Sequence, residues 1–233
     1  MEQIIHGVKE KMDCFDQICT AWIAEYHQRG GKVHCGKGCS GCCSLVVNCT
    51  LPEAVQIAAG LTVEQVKRLS EKIKIIQLLA AEANDMKEWL SSYRKHSGGC
   101  PFLKNRVICG IYNVRPFSCR SLLSTMNPDW CSTDFGTLST EEKRNFMTSL
   151  DQSTVAFPTH YAATPQEIGQ EMERVCLKQM EKAYGFSVSG TLPWLVWLEL
   201  EHSISGILLK GEECLKEYLN SRNLLNQYLI LID

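Results

Sequence analysis

The stretch Cys35-Gly-Lys-Gly-Cys39-Ser-Gly-Cys42-Cys43 places four thiols within one short loop. Thiolates are soft ligands suited to zinc or to iron–sulfur clusters, and such short spacings let one tight loop turn several sulfurs toward one centre. Gly36, Gly38 and Gly41 allow positive φ angles and close backbone approach. Their N–H groups are expected to donate to the sulfurs and offset the negative charge. A second group follows: Cys100-Pro-Phe-Leu, then Cys109-Gly-Ile-Tyr, then Arg115-Pro-Phe-Ser-Cys119-Arg120. Arg115 and Arg120 either balance thiolate charge or are ordinary surface arginines. Adjacent Cys42 and Cys43 point in different directions along an ordinary chain. Two centres, or one polynuclear cluster with some thiols outside it, therefore suit the pair better than one tetrahedral ion.

The chain has 13 cysteines in 233 residues, an odd count that fits poorly with a fully paired disulfide framework. Clustered thiols in a reducing compartment point instead to metal or redox chemistry. With 24 basic against 26 acidic side chains, nothing suggests the broad attraction to phosphate of a nucleic-acid partner. Lys9, Glu10 and Lys11 interrupt any apolar run at the N-terminus, against a secretory signal. The longest apolar stretch, Leu192 to Leu198, is far short of the roughly 20 residues that span a bilayer. The expectation is a soluble, cytoplasmic protein without a membrane or nucleic-acid partner; a protein partner stays open.

Taken together, the motifs resemble the zinc- or iron-chelating cysteine-cluster family often called YkgJ-like. Its hallmark is a C-x3-C-x2-C-C run followed by C-P-F-L, C-x-I-Y and R-P-x-x-C-R segments, and all stand here in order from Cys35 to Arg120. The resemblance implies that Cys35, Cys39, Cys42, Cys43, Cys100, Cys109 and Cys119 are metal ligands, with Cys131 in Pro128-Asp-Trp-Cys131 as an eighth candidate. The same pattern occurs in flagellin lysine N-methylases, which links it to iron–sulfur-dependent methyl transfer from S-adenosylmethionine. No independent sign of a methyl-donor site stands in the sequence.

Two other motifs mislead. Gly36-Lys-Gly38-Cys-Ser-Gly41 fits G-x-G-x-x-G, but no strand precedes it and no helix starts within it. Cys35-x3-Cys39-x2-Cys42 also matches radical enzymes that use S-adenosylmethionine. Those place an aromatic residue where this chain has Gly41, and they need alternating strands and helices.

Helices must position these loops. Residues 2–28 carry Ile4, Ile5, Val8, Met12, Phe15, Ile18, Cys19, Trp22, Ile23 and Tyr26 at helical spacing, ending at Gly30-Gly31. Thr50-Leu-Pro-Glu53 and Thr62-Val-Glu-Gln65 are capping boxes, opening a short helix to Gly60 and a longer one to about Lys95. Residues 96–138 read as irregular, with one short strand at Arg106–Ile111. Helices are expected again over Thr140–Asp151, from an N-cap at Thr164 to Gly185, over Leu192–Leu209 and over Glu212–Ile232. Cys14, Cys19, Cys176 and Cys214 read as helix core, Cys49 is undecided, and His34 and His96 read as loop histidines. Trp194 and Trp197 suit a core or a subunit contact.

The sequence thus predicts a mainly α fold, with helices flanking an irregular, cysteine-rich metal-binding core. Residues 1–138 form the cysteine-cluster domain with its N-terminal helix, and residues 139–233 a helical region packed with it as one unit. An iron–sulfur cluster is favoured over zinc, because the thiols outnumber one zinc's needs. The expected function is metal binding, with an iron–sulfur-dependent protein lysine N-methyltransferase and a structural zinc module for protein contacts as alternatives. S-adenosylmethionine is a cofactor only in the methyltransferase case.

Overall fold

The computed structural model describes residues 1–105 and 107–233, and the fold is mainly helical. Helix α1 (Glu2–Gln28) buries Val8, Met12, Phe15 and Cys19, one stripe at three- and four-residue spacing. That stripe packs on α8 (Ala163–Tyr184), with Cys176 of α8 and Phe117 completing a small core.

The main core lies on the other side. Strand β1 (Asn48–Thr50) leads into α2 (Leu51–Ala58), where Thr50 and Glu53 form the expected capping box. Helices α2 and α3 (Val63–Glu82) pack on α9 (Leu192–His202), burying Leu51, Ile57, Leu69, Ile76, Trp194 and Leu195. The helix expected to run from residue 62 to 95 is two helices. Ala83 is extended, and the Asp85 side chain accepts from the Glu88 backbone N–H, opening α4 (Met86–His96) with a fresh N-cap.

Between α4 and the tail, a hairpin of β2 (Leu103–Lys104) and β3 (Ile108–Cys109) replaces the single strand expected at 106–111; Arg106 lies outside the described residues. Two single-turn helices follow, α5 (Phe117–Arg120) and α6 (Asp129–Ser132). Helix α7 (Thr140–Ser149) buries Phe146 against Val155 and the half-buried Trp130 and Phe135.

Three expectations for the tail need correction. Helix α8 has Ala162 as its N-cap, so Thr164 and Pro165 occupy its first turn. The 192–209 segment breaks at Ser203, whose φ of 48° is left-handed, and restarts as α10 (Ile204–Leu208). The last helix, α11 (Glu212–Asn220), stops early, and the chain finishes as β5 (Ile230–Ile232). Strand β5 pairs with β4 (Val188–Thr191), which pairs in turn with β1. All pairings are antiparallel, with Cys49 opposite Gly190 and Ser189 opposite Leu231. Pairing with the open edge of β4 outcompetes helix propensity here because it gives the backbone groups that face β4 strand partners. The tail therefore supplies two of the three strands in this sheet.

Among the described residues, no helix is long and apolar enough to cross a membrane.

Candidate metal centre

The loop carrying the first four thiols folds by local turns. The Cys39 N–H donates to the Gly36 carbonyl, and a 3-10 turn over Gly41–Ser44 presents Cys42 and Cys43. Gly38 has a φ of 99°, where a side chain is strained; Gly36 and Gly41 do not need that region. Gly41 matters for space instead. A Cβ there would stand 2.7 Å from the Pro128 carbonyl oxygen and 3.0 Å from the Cys131 Cβ. Only glycine lets the loop lie this close to α6, and that contact sets Cys131 beside the first four cysteines.

The amide donors to sulfur differ from expectation. Ser124, not a loop glycine, donates its N–H to Cys35 Sγ at 3.0 Å, while the Cys35 thiol points at the Leu122 carbonyl 3.4 Å away. Amides of Phe102 and Ile111 do the same for Cys100 and Cys109. The β2–β3 hairpin folds Cys109 back opposite Leu103, which brings it next to Cys100. Cys119 rides on α5, and the first N–H of that helix donates to the buried Glu53 carboxylate at 2.8 Å.

Electrostatics show how the thiols are grouped. Burial pushes Cys35 up to about 11 and Cys100 up to about 12. Burial likewise raises Cys109, Cys119 and Cys131. In each of these five, proximity to Cys42, a second acid that resists sharing the site as an anion, adds to the rise. Cys35 also senses Cys39 and Cys131, whereas Cys119 senses Cys100 and Cys109. Two lobes therefore meet at Cys42, one of Cys35, Cys39 and Cys131 and one of Cys100, Cys109 and Cys119. Cys42 itself is raised by a hydrogen bond with Cys43 and then by burial, and the Arg115 charge opposes the rise.

The two arginines separate in role. Arg115 stacks over Tyr112 at 3.7 Å and its charge lowers Cys42, Cys109 and Cys119, so it serves the thiols. Arg120 is neither a surface residue nor a cluster counter-charge. It is buried, pairs with Asp16, and donates to the Arg115 and Asn113 carbonyls, locking the turn between β3 and α5.

Of the other thiols, Cys19 and Cys176 are buried core, and Cys49 is buried in the main core on β1. Cys14 is exposed, against expectation, because its position on α1 faces away from α8. His34 is held by its backbone to Ser124, and His96 is exposed in the last turn of α4. One residue went unforeseen. His160 places Nε2 3.3 Å from Cys131 Sγ, and burial pushes its pKa down to about 4, so the ring is neutral. No spacing in the sequence signals it, since it lies 29 residues downstream and meets Cys131 only through the fold.

The donor chemistry fits a thiophilic metal: many half-buried thiols, amide donors to sulfur and two cations, Arg115 and Lys72, beside them. Among the described residues, no three His, Cys, Asp or Glu side chains already stand at ligating distance, so an ion held by these thiols would have to draw them inward. No curated protein and no solved structure matches the chain. Residues 34–143 match one family, CxxCxxCC, described as "Putative zinc- or iron-chelating domain", and this match takes in all eight candidate cysteines but stops short of His160. Over residues 34–143 the chain is thus similar to the zinc- or iron-chelating CxxCxxCC family.

Proposed function

We propose that this protein holds iron, as an iron–sulfur cluster, through Cys35, Cys39, Cys42, Cys43, Cys100, Cys109, Cys119 and Cys131, in the reducing cytoplasm. The observation that supports this reading best is that Cys42 couples to thiols of both lobes and shares one hollow with Cys35, Cys39 and Cys119. A single tetrahedral zinc uses four ligands and would leave about half of the set idle, whereas a polynuclear centre bridges both lobes. The Cys42–Cys43 contact suits the same geometry. The biological role in this reading is metal handling, with residues 1–138 and 139–233 folding as one unit because the tail completes the sheet beside β1.

Anaerobic purification followed by iron, acid-labile sulfide and zinc analysis tests the reading. Iron and sulfide in comparable amounts, with broad visible absorbance, is the expected result. Zinc alone at one equivalent refutes the cluster. Cys42→Ser should remove most of the bound metal, whereas Cys176→Ala, on the far side of α8, should leave it unchanged.

A further inference from the structure

A half-open hollow of about 520 Å³ lies between α7, α6 and the 158–161 segment. That volume falls in the usual range of small-molecule sites, roughly 300–1,000 Å³. Its wall is a row of aromatic rings: Trp130 and Phe135 each pack on Phe146, with centroids 4.7 and 4.6 Å apart. Met147 lines it as well, and Cys131 with His160 closes its inner end. Hollows with such apolar walls take flat, apolar ligand bodies.

Two cations, Arg94 and Lys143, also line the hollow. Lys143 is exposed, and among the described residues it pairs with no carboxylate. Arg94 donates to the Thr133 carbonyl, and the one acid near it, Asp134, already pairs with Lys95 at 3.2 Å. The carboxylate of Glu142, next to Lys143 on α7, is taken by the Ser139 backbone N–H at 2.7 Å. The polar side of an otherwise apolar hollow is therefore left with net positive charge.

We infer that this hollow is a binding site for a small planar aromatic anion. Its ring system lies along Trp130, Phe135 and Phe146, and its acid group meets Lys143 and Arg94. The occupant would sit against the outer side of Cys131, but recognition rests on the aromatic wall and the two cations, so it does not depend on which metal the thiols hold.

Titration of the full-length protein, as purified, with anilinonaphthalenesulfonate tests this, read by dye fluorescence. The neutral dye N-phenylnaphthylamine serves as the uncharged counterpart. The expected result is one saturable sulfonate site per chain. Lys143→Glu should weaken sulfonate binding about tenfold or more while leaving the neutral dye within about twofold, the signature of a charge-assisted contact. Met147→Glu, which puts a carboxylate into the wall, should abolish binding of both dyes. Absence of saturable binding overturns the inference, as does sulfonate binding that neither substitution changes. Equal weakening of both dyes by Lys143→Glu overturns the anion preference. Lys143 is a surface residue, so this variant keeps the test decisive even if Met147→Glu fails to fold.

Discussion

Glu53→Ala should be among the most damaging single substitutions outside the thiols. Glu53 is fully buried, and its two carboxylate oxygens serve two different elements. Oε2 accepts from the Thr50 N–H at 2.7 Å and from the Thr50 hydroxyl at 2.8 Å, closing the capping box of α2. Oε1 accepts from the Phe117 N–H at 2.8 Å, holding the start of α5. Alanine leaves two buried N–H donors without acceptors, and each costs about 1–3 kcal/mol. Relief from burying the carboxylate, whose pKa burial already raises, offsets part of that loss. A net loss of about 3 kcal/mol follows. Glu53→Gln keeps one oxygen and turns an NH2 group toward the other donors, so it should lose roughly half as much. Urea unfolding followed by far-ultraviolet circular dichroism measures both. Because α5 carries Cys119, the alanine variant should also bind less metal although Glu53 is no ligand. An alanine variant within about 0.5 kcal/mol of wild type, at unchanged slope, would refute the reasoning.

Metal uptake should depend steeply on pH. Cys35 and Cys100 titrate near 11 and 12 without metal, so both must lose protons on binding at neutral pH, and affinity should fall about a hundredfold or more per unit of acidification; competition with a chelator at pH 6.5 and 7.5 measures it, and a dependence below tenfold argues against these two ligands. Glu173, which accepts from the Ser118 hydroxyl, is pushed up to about 7 by burial and by the Glu53 charge. An acid whose folded pKa is raised binds more protons folded than unfolded, so its contribution to stability is lost as pH climbs from about 4.5 to 7. Glu173→Gln should accordingly stabilise by about 1–2 kcal/mol at pH 8 and by little at pH 4, and identical unfolding midpoints for the two proteins at pH 8 would contradict it. Truncation after Ser139 removes β4, β5 and α8, leaving β1 and the α1 stripe unpaired; the fragment should be insoluble or unfolded, and a soluble fragment that keeps all its metal would show a separable module.

The local signals were legible where one stretch of chain decides the outcome. The α1 stripe, the Thr50 and Thr62 capping boxes and the left-handed Gly185 after α8 each depend on residues within a few positions. The break before α4 was equally local. Asp85 stands three residues before Glu88, but the apolar pattern from Ile73 to Tyr93 runs through it and masks the cap. What no window of sequence holds is a choice between partners. Residues 221–232 read as helical because nothing in them announces that β4 offers an edge. Arg120 reads as a thiolate counter-charge or a surface residue because Asp16 lies 104 positions away. His160 is invisible for the same reason. Glu53 was legible as a cap and illegible as the anchor of α5.

The same contrast runs through the thiols. Cys109 is fixed by a hairpin, Cys119 by a helix tied to Glu53, and Cys100 by the Phe102 amide. Those three are set by elements that pack into the main core, where Cys100, Cys109 and Cys119 lie against it. Cys39, Cys42 and Cys43 depend on two short turns and on the contact of Gly41 with α6. Burial keeps Cys35, Cys100, Cys109, Cys119 and Cys131 protonated, so that part of the metal-free pocket carries little charge and has no electrostatic reason to open. An arriving ion reverses this, since each thiol that loses its proton becomes an anion drawn to the metal. The free energy of binding then goes into closing the 35–44 loop onto a lobe already in place. In this order of events Cys42 is the thiol whose loss should separate the lobes, whereas losing Cys35 should weaken only one of them.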